Sequence, residues 1–322
     1  MSLVLRLCFA SAALLAASVS ARAYSCSASV GELNFGHIDV LTGATYDATA
    51  SVQISCNFGP LEGLTQVRAC LSIGNGSGGR DSSARYMTNG TQSLAYQLYT
   101  VPYSTTWGDR AQSFPVVPTV NLNAGNPSAT VTLYGRIFGS QSGKPFGSYQ
   151  SYFGAADVSF KHGLNVFGLV ACDAIDLSLL LGGAVLNPQF DVKAEVDKIC
   201  NVATYGFNFG NRGALTATIL DNHPSIGVTC SKDAEYFVGL DDGENSTGVR
   251  QRRMRKGSEY IAYDLLKSST VSDAWGNTGT FRKQGTGTGS EVLLQVYGRV
   301  PAQSPTPSVG TYVDNVAVTL TF

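Results

Sequence analysis

The sequence has no excess of charge of either sign, and little charge altogether. Its 22 Lys and Arg face 23 Asp and Glu, and charged residues make up 14% of 322. A chain so balanced offers no basic surface to nucleic acid and no acidic tail. Histidine is scarce: His37, His162 and His223 are the only three. None lies within metal-ligand spacing of another His or Cys, so no metal site is expected and all three read as solvated or turn residues. There is no C-x-x-C and no G-x-S-x-G nucleophile elbow. Gly74-x-Gly76-x-x-Gly79 spells a dinucleotide fingerprint, but without a strand–helix context it reads as a turn. Together these absences argue against an enzyme and against any cofactor.

What is abundant is turn and strand material. Gly accounts for 36 residues and aromatics for 10%, among many Ser and Thr. Ala50–Cys56, Thr130–Ile137, Glu291–Val300 and Asp314–Phe322 carry the alternating or β-rich patterns of half-buried strands, separated by Gly/Ser/Asn turns. The length fits two domains of about 150 residues each.

The first 23 residues read as a secretory signal peptide. Arg6 precedes an apolar run, and Ala21-Arg22-Ala23 supplies the small-residue cleavage pattern before Tyr24. A second apolar stretch, Phe167–Leu186, is interrupted by Asp173 and Asp176 and is a poor membrane span. Removing the signal peptide removes Cys8 and leaves six cysteines, an even number in an exported chain, which suggests disulfides.

An internal repeat narrows their pairing. Cys26 and Cys56 lie 30 apart, as do Cys200 and Cys230, and the two segments align without a gap at an offset of 174 with nine of 31 positions identical. Asn34-Phe35-Gly36 repeats as Asn208-Phe209-Gly210, and Tyr134-Gly135-Arg136 repeats further on as Tyr297-Gly298-Arg299. The repeat implies Cys26–Cys56 and Cys200–Cys230, each contributing about 3–4 kcal/mol in the chain-entropy account. Cys70 and Cys172, which have no counterparts, pair by elimination. Short strands in two disulfide-stapled copies argue for an all-β chain of two tandem immunoglobulin-like β-sandwiches, with a pair of barrels as the alternative.

The ordered motifs resemble the spore coat protein U domain. They are a Cys, Asn-Phe-Gly, Leu-Thr and a second Cys; then Met-x-x-Gly, Tyr-Gly-Arg and Gly310-Thr311-Tyr312-Val313-Asp314 before an alternating terminal strand. The resemblance covers nearly all of the second copy and chiefly the beginning and middle of the first. It implies an incomplete immunoglobulin-like pilin fold of archaic chaperone–usher pili. The missing strand comes first from a periplasmic chaperone and later from an adjacent pilin subunit. Two-domain members resemble tip adhesins.

On this reading the domains are a signal peptide (1–23), an adhesin domain (24–187), a connector (188–199) and a pilin domain (200–322). The start at Tyr24, two residues before Cys26, leaves no arm to donate, as expected of a polymer's end. The expected location is the cell surface at the pilus tip, reached through the periplasm and an outer-membrane usher. The expected function is attachment to an abiotic or host surface and biofilm formation. The alternative is a non-adhesive subunit that starts or caps the polymer.

Two further features have roles to assign. Phe190, Val192, Ala194 and Val196 alternate with charged residues before Cys200, the pattern of a donor strand. The segment reads either as the first strand of the second domain or as a strand completing the first. Ile38, Val40, Val116, Val117 and Phe146 are apolar residues in three connections of the first copy, where the second copy is more polar. They are expected to form a surface-binding set like the hydrophobic finger loops of archaic tip adhesins. The cluster Arg250, Arg252, Arg253, Arg255 and Lys256 reads as a solvated strand and loop.

Overall fold

The computed structural model describes residues 24–59, 66–90, 92–109, 118–165, 172 and 184–322. Residues 1–23, the expected signal peptide, lie outside them. The chain is two tandem β-sandwiches, each with its own apolar core.

The first sandwich comprises β1 (Tyr24–Val30), β2 (Leu33–Ile38), β3 (Tyr46–Phe58), β4 (Val67–Ile73), β5 (Arg85–Asn89), β6 (Gln92–Val101), β7 (Thr105–Thr106), β8 (Thr119–Leu122), β9 (Ser128–Ile137), β10 (Gly147–Phe153), β11 (Val158–Leu164), β12 (Ala184–Leu186) and β13 (Phe190–Val196). Its larger sheet runs β1-β3-β9-β6-β5-β10-β13-β2, and its smaller sheet β12-β11-β4-β8. The second comprises β14 (Cys200–Thr204), β15 (Ile219–Cys230), β16 (Glu235–Leu240), β17 (Arg252–Lys256), β18 (Glu259–Leu266), β19 (Lys283–Thr286), β20 (Glu291–Val300) and β21 (Val318–Thr321). Its sheets run β14-β15-β20-β18-β17 and β19-β16-β21.

The repeat is visible strand by strand. β1-β3-β9-β6-β5 and β14-β15-β20-β18-β17 have the same order, and Cys26 faces Cys56 as Cys200 faces Cys230. Three disulfides are formed: Cys26–Cys56, Cys70–Cys172 and Cys200–Cys230. The shared motifs have physical reasons. In Asn-Phe-Gly the Asn side chain accepts the Gly N–H at 2.8 Å in both copies, and Gly36 and Gly210 adopt φ of 68° and 70°. This Asx turn requires the left-handed region, which glycine enters without strain.

A buried arginine is also duplicated. Arg85 Nη2 donates to the carbonyls of Ile73 and Trp107, and its Nε to Gly74. Arg252 Nη2 donates to the carbonyls of Leu240 and Trp275, and its Nε to Asp241. Each tryptophan indole N–H in turn donates to a carbonyl of the opposing sheet, Leu71 or Val238. Arg252 is therefore a core residue, 2% exposed, and leaves the solvated cluster to which its sequence neighbours assign it. A guanidinium satisfies several carbonyls at once, which allows a buried cation here. His162 is likewise buried, its ring between Tyr24 and Phe160, instead of solvated.

Candidate assembly groove and surface contacts

The alternating segment before Cys200 belongs to the first sandwich. β13 lies between β10, antiparallel over seven residue pairs from Phe153–Phe190 to Gly147–Val196, and β2, parallel to it. Phe190, Val192, Ala194 and Val196 all enter the core, none more than 5% exposed. Alternation at period two places these four on one face, while Asp191, Lys193 and Glu195 stay at the surface. Lys193 pairs with Glu32 at 2.6 Å, and Gln150 donates to Asp191. With β13 in place, Tyr149, Ser151 and Phe153 are sealed.

Among the described residues, the second sandwich has both neighbours of this strand but not the strand. Gly310–Val316 is the counterpart of β10 and touches β17 through the Arg255–Val313 bridge. Residues 207–212 are the counterpart of β2 and lie in no strand. Tyr312, Asp314 and Val316 point inward but are only half-buried, where their equivalents in the first domain are sealed. Phe207 and Phe209 are half-buried too, their rings meeting at 4.9 Å. The result is a cleft floored by half-buried apolar residues and bordered on one side by backbone that joins no strand ladder, the geometry that accepts an added strand.

The joint between the sandwiches is short. Asp197 donates its N–H to the Ile38 carbonyl, and Ser231 Oγ donates to the Asp197 carbonyl. The Ile199 N–H donates to the same Ser231 oxygen at 3.0 Å. Pro145 of the first domain makes a parallel bridge with Lys232 of the second. His37 Nδ1 and Asp197 Oδ1 are 2.7 Å apart, and the hydrogen bond and charge of Asp197 raise the His37 pKa.

This placement corrects the proposed surface-binding set. Ile38 is fully buried and Val40 is 5% exposed, so neither is a loop-tip contact. Ile38 is the last residue of β2, pairs with Val196 and closes the core beneath the joint; Val40 packs in the same cluster. Residues from an ordered strand end and its short turn fill the sandwich end instead of projecting from it. Phe146 is 37% exposed, with Lys198 Nζ of the connector 5.8 Å from its ring centroid. Val116 and Val117 lie outside the described residues. Sequence reading missed Asp314 as part of the cleft, and Arg85 and Arg252 as core. The signal available was the recurrence of each arginine two residues before the repeated Met.

Two sandwiches of pilin type, one filled and one open, define a fimbrial class of fold. The Spore Coat Protein U domain matches residues 11–155 and again residues 186–319, and the chain belongs to that family. The second match opens ahead of β13, so by sequence the strand leads the second domain, whereas its hydrogen bonds place it in the first. The chain is 36% identical to Protein U of Myxococcus xanthus over 105 residues, 30% of this chain and 58% of that protein, little more than half its length. It is similar in fold to the chaperone–tip adhesion subunit pre-assembly complex CsuC–CsuE, from archaic chaperone–usher Csu pili of Acinetobacter baumannii. The identity is 16%, with 92% of this chain and all of that one covered, at a TM-score of 0.50. The CupB6 tip adhesin of Pseudomonas aeruginosa aligns over 92% of this chain at 9% identity and a TM-score of 0.35.

Proposed function

We propose that the chain is the tip subunit and adhesin of a chaperone–usher pilus. The observation that carries this reading is the asymmetry of the two strand sites. The first domain's site is filled by the chain's own β13, so it has no vacancy for a neighbour. The second domain's site is open. A chain with a single acceptor for a neighbour's strand suits one end of a polymer. In the cell a periplasmic chaperone would occupy the open cleft first. The arm of the adjacent pilin subunit would replace it at the outer-membrane usher. Residues 1–23 would direct export, and the first domain would stand foremost at the cell surface.

Attachment is assigned to the first domain, through Val116 and Val117 together with Phe146. Each apolar side chain withdrawn from water could contribute up to ~1.5–3 kcal/mol, reduced by incomplete burial. Replacing all three by Ser should leave pilus number unchanged and lower attachment to hydrophobic plastic. Ile38→Ser should instead reduce the yield of folded chain. The alternative, a non-adhesive capping or initiating subunit, shares the strand-site asymmetry. Immunogold labelling separates a tip protein from a shaft protein: label confined to pilus ends supports the tip position, and label along the shaft contradicts it. Unchanged attachment by the triple variant, with pili intact, favours the capping subunit.

A further inference from the structure

The two copies differ in charge at one position facing the added strand. Gly147-Ser148-Tyr149-Gln150-Ser151 repeats as Gly310-Thr311-Tyr312-Val313-Asp314, so Asp314 stands where the first domain has Ser151. The local geometry is shared. Both side chains point at a left-handed glycine, Gly76 at φ 73° and Gly243 at φ 78°, where an added Cβ would collide with Ser151 Oγ or with Asp314 Oδ2. Each also lies by the tyrosine at one place in the repeat, Tyr96 or Tyr263.

The chemistry of the two positions is not shared. In the first domain Ser151 is fully buried, and the residue directly opposite it on β13 is Val192, also fully buried. In the second, the Asp314 carboxylate accepts the Tyr263 hydroxyl at 2.7 Å, the Asn245 backbone N–H at 3.2 Å and the Asn245 side-chain N–H at 2.9 Å. A carboxylate offers about four acceptor sites. The structure fills three, and Asp314 stays half-exposed. A strand entering the cleft removes water from the exposed side of Asp314. Directly opposed side chains on one face of an antiparallel pair lie about 4.5–5.5 Å apart at Cβ. A valine at that distance would cover the carboxylate and replace none of the lost hydration, which is costly for a charge.

We infer that the arm completing the second domain carries a small hydrogen-bond donor, Ser, Thr or Asn, opposite Asp314, where β13 carries Val192. The arm keeps apolar residues opposite Tyr312 and Val316. It runs antiparallel to Gly310–Val316 and parallel to residues 207–212, as β13 runs between β10 and β2. This inference rests on the donor-strand reading above and specifies the chemistry of the strand that fits. It also gives the duplicated chain a way to keep its own β13 out of the wrong site, since Val192 matches Ser151 and mismatches Asp314.

The test uses the full mature chain with a second copy of residues 189–197 appended after Phe322 through a flexible linker of about a dozen residues. One version keeps Val at the position of Val192, and one carries Thr there. Both are also made with Asp314→Ser. Unfolding of the second domain is followed by hydrogen exchange at Glu291–Val300. In the chain with Asp314, the Thr arm is expected to raise the transition about 4–8 °C above the Val arm. With Asp314→Ser the order should reverse or vanish. A Val arm that stabilises the Asp314 chain as well as the Thr arm does overturns the inference while leaving the donor-strand reading standing. If neither arm raises the transition in either background, the donor-strand reading fails, and the inference with it.

Discussion

The ring of Phe190 lies face to face on that of Phe153, with centroids 4.5 Å apart and planes 7° from parallel. This stack anchors the leading end of β13 in the first sandwich, and the same strand leads by way of Asp197–Ile199 into Cys200 of the second. One segment therefore both finishes one domain and ties it to the next. Among the described residues, the corresponding slot in the second domain has no such strand.

Phe190→Ala should destabilise the first domain by about 3–5 kcal/mol, the range for deleting a buried aromatic ring. The second domain, with its separate core, should keep its stability within ~0.5 kcal/mol. Denaturant unfolding read separately through each domain's buried tryptophan, Trp107 and Trp275, checks both parts. Equal loss in both domains would mean that β13 is not specific to the first.

The duplicated arginines predict a matched pair of effects. Burial pushes the Arg85 pKa down to about 10, so the side chain remains protonated at neutral pH. Arg85→Met or Arg252→Met strands carbonyls that water cannot reach, each worth about 1–3 kcal/mol. Loss of at least ~3 kcal/mol is expected in the domain concerned. Lysine should not rescue, because a single ammonium cannot span three carbonyls as the planar fork does. Urea midpoints of the Met and Lys variants measure this.

The glycines of Tyr-Gly-Arg should separate the closed domain from the open one. A Cβ on Gly135 would lie 2.9 Å from Phe35 Cζ, and one on Gly298 would lie 2.5 Å from Phe207. β13 fixes β2 and Phe35 in place, so Gly135→Ala should cost about 1–3 kcal/mol as overpacking. Residues 207–212 have no such strand beside them and can yield. Gly298→Ala should then leave the isolated chain nearly unchanged and impair incorporation into pili, measured as stability against pilus yield.

Much of this architecture was legible in the sequence. The repeat and the Cys spacing pointed to two sandwiches and two of the pairings, because disulfides and core alternation leave periodic marks; the third, Cys70–Cys172, followed by elimination. The alternation of Phe190 to Val196 identified a strand but not its owner, since period two defines a face and not a partner. Ile38 and Val40 misled for a related reason. A connection that closes a sandwich end is apolar because it is buried, and in sequence that looks the same as an apolar loop that projects. Arg252 was hidden among surface cations because its partners are carbonyls, which have no sequence signature.

The joint should be pH-sensitive. Asp197 raises the His37 pKa above its usual value near 6.5. The stabilising contribution of the charged pair is therefore fully present below about pH 6.5 and is lost as pH rises through the raised value. His37→Gln should abolish this dependence. Titrating the His37 ring by NMR in the chain and in an Asp197→Asn variant should show the pKa falling back in the variant. An unchanged value would remove Asp197 as its cause.

The central claim is that the second domain lacks one strand, to be supplied between residues 207–212 and Gly310–Val316. Amide hydrogen exchange across those two segments, in the purified chain and in assembled pili, tests it most directly. The account predicts fast exchange in the isolated chain and strong protection after assembly, with Gly147–Phe153 of the first domain protected in both. Protection of Gly310–Val316 already in the isolated monomer, or none gained in the pilus, would contradict it.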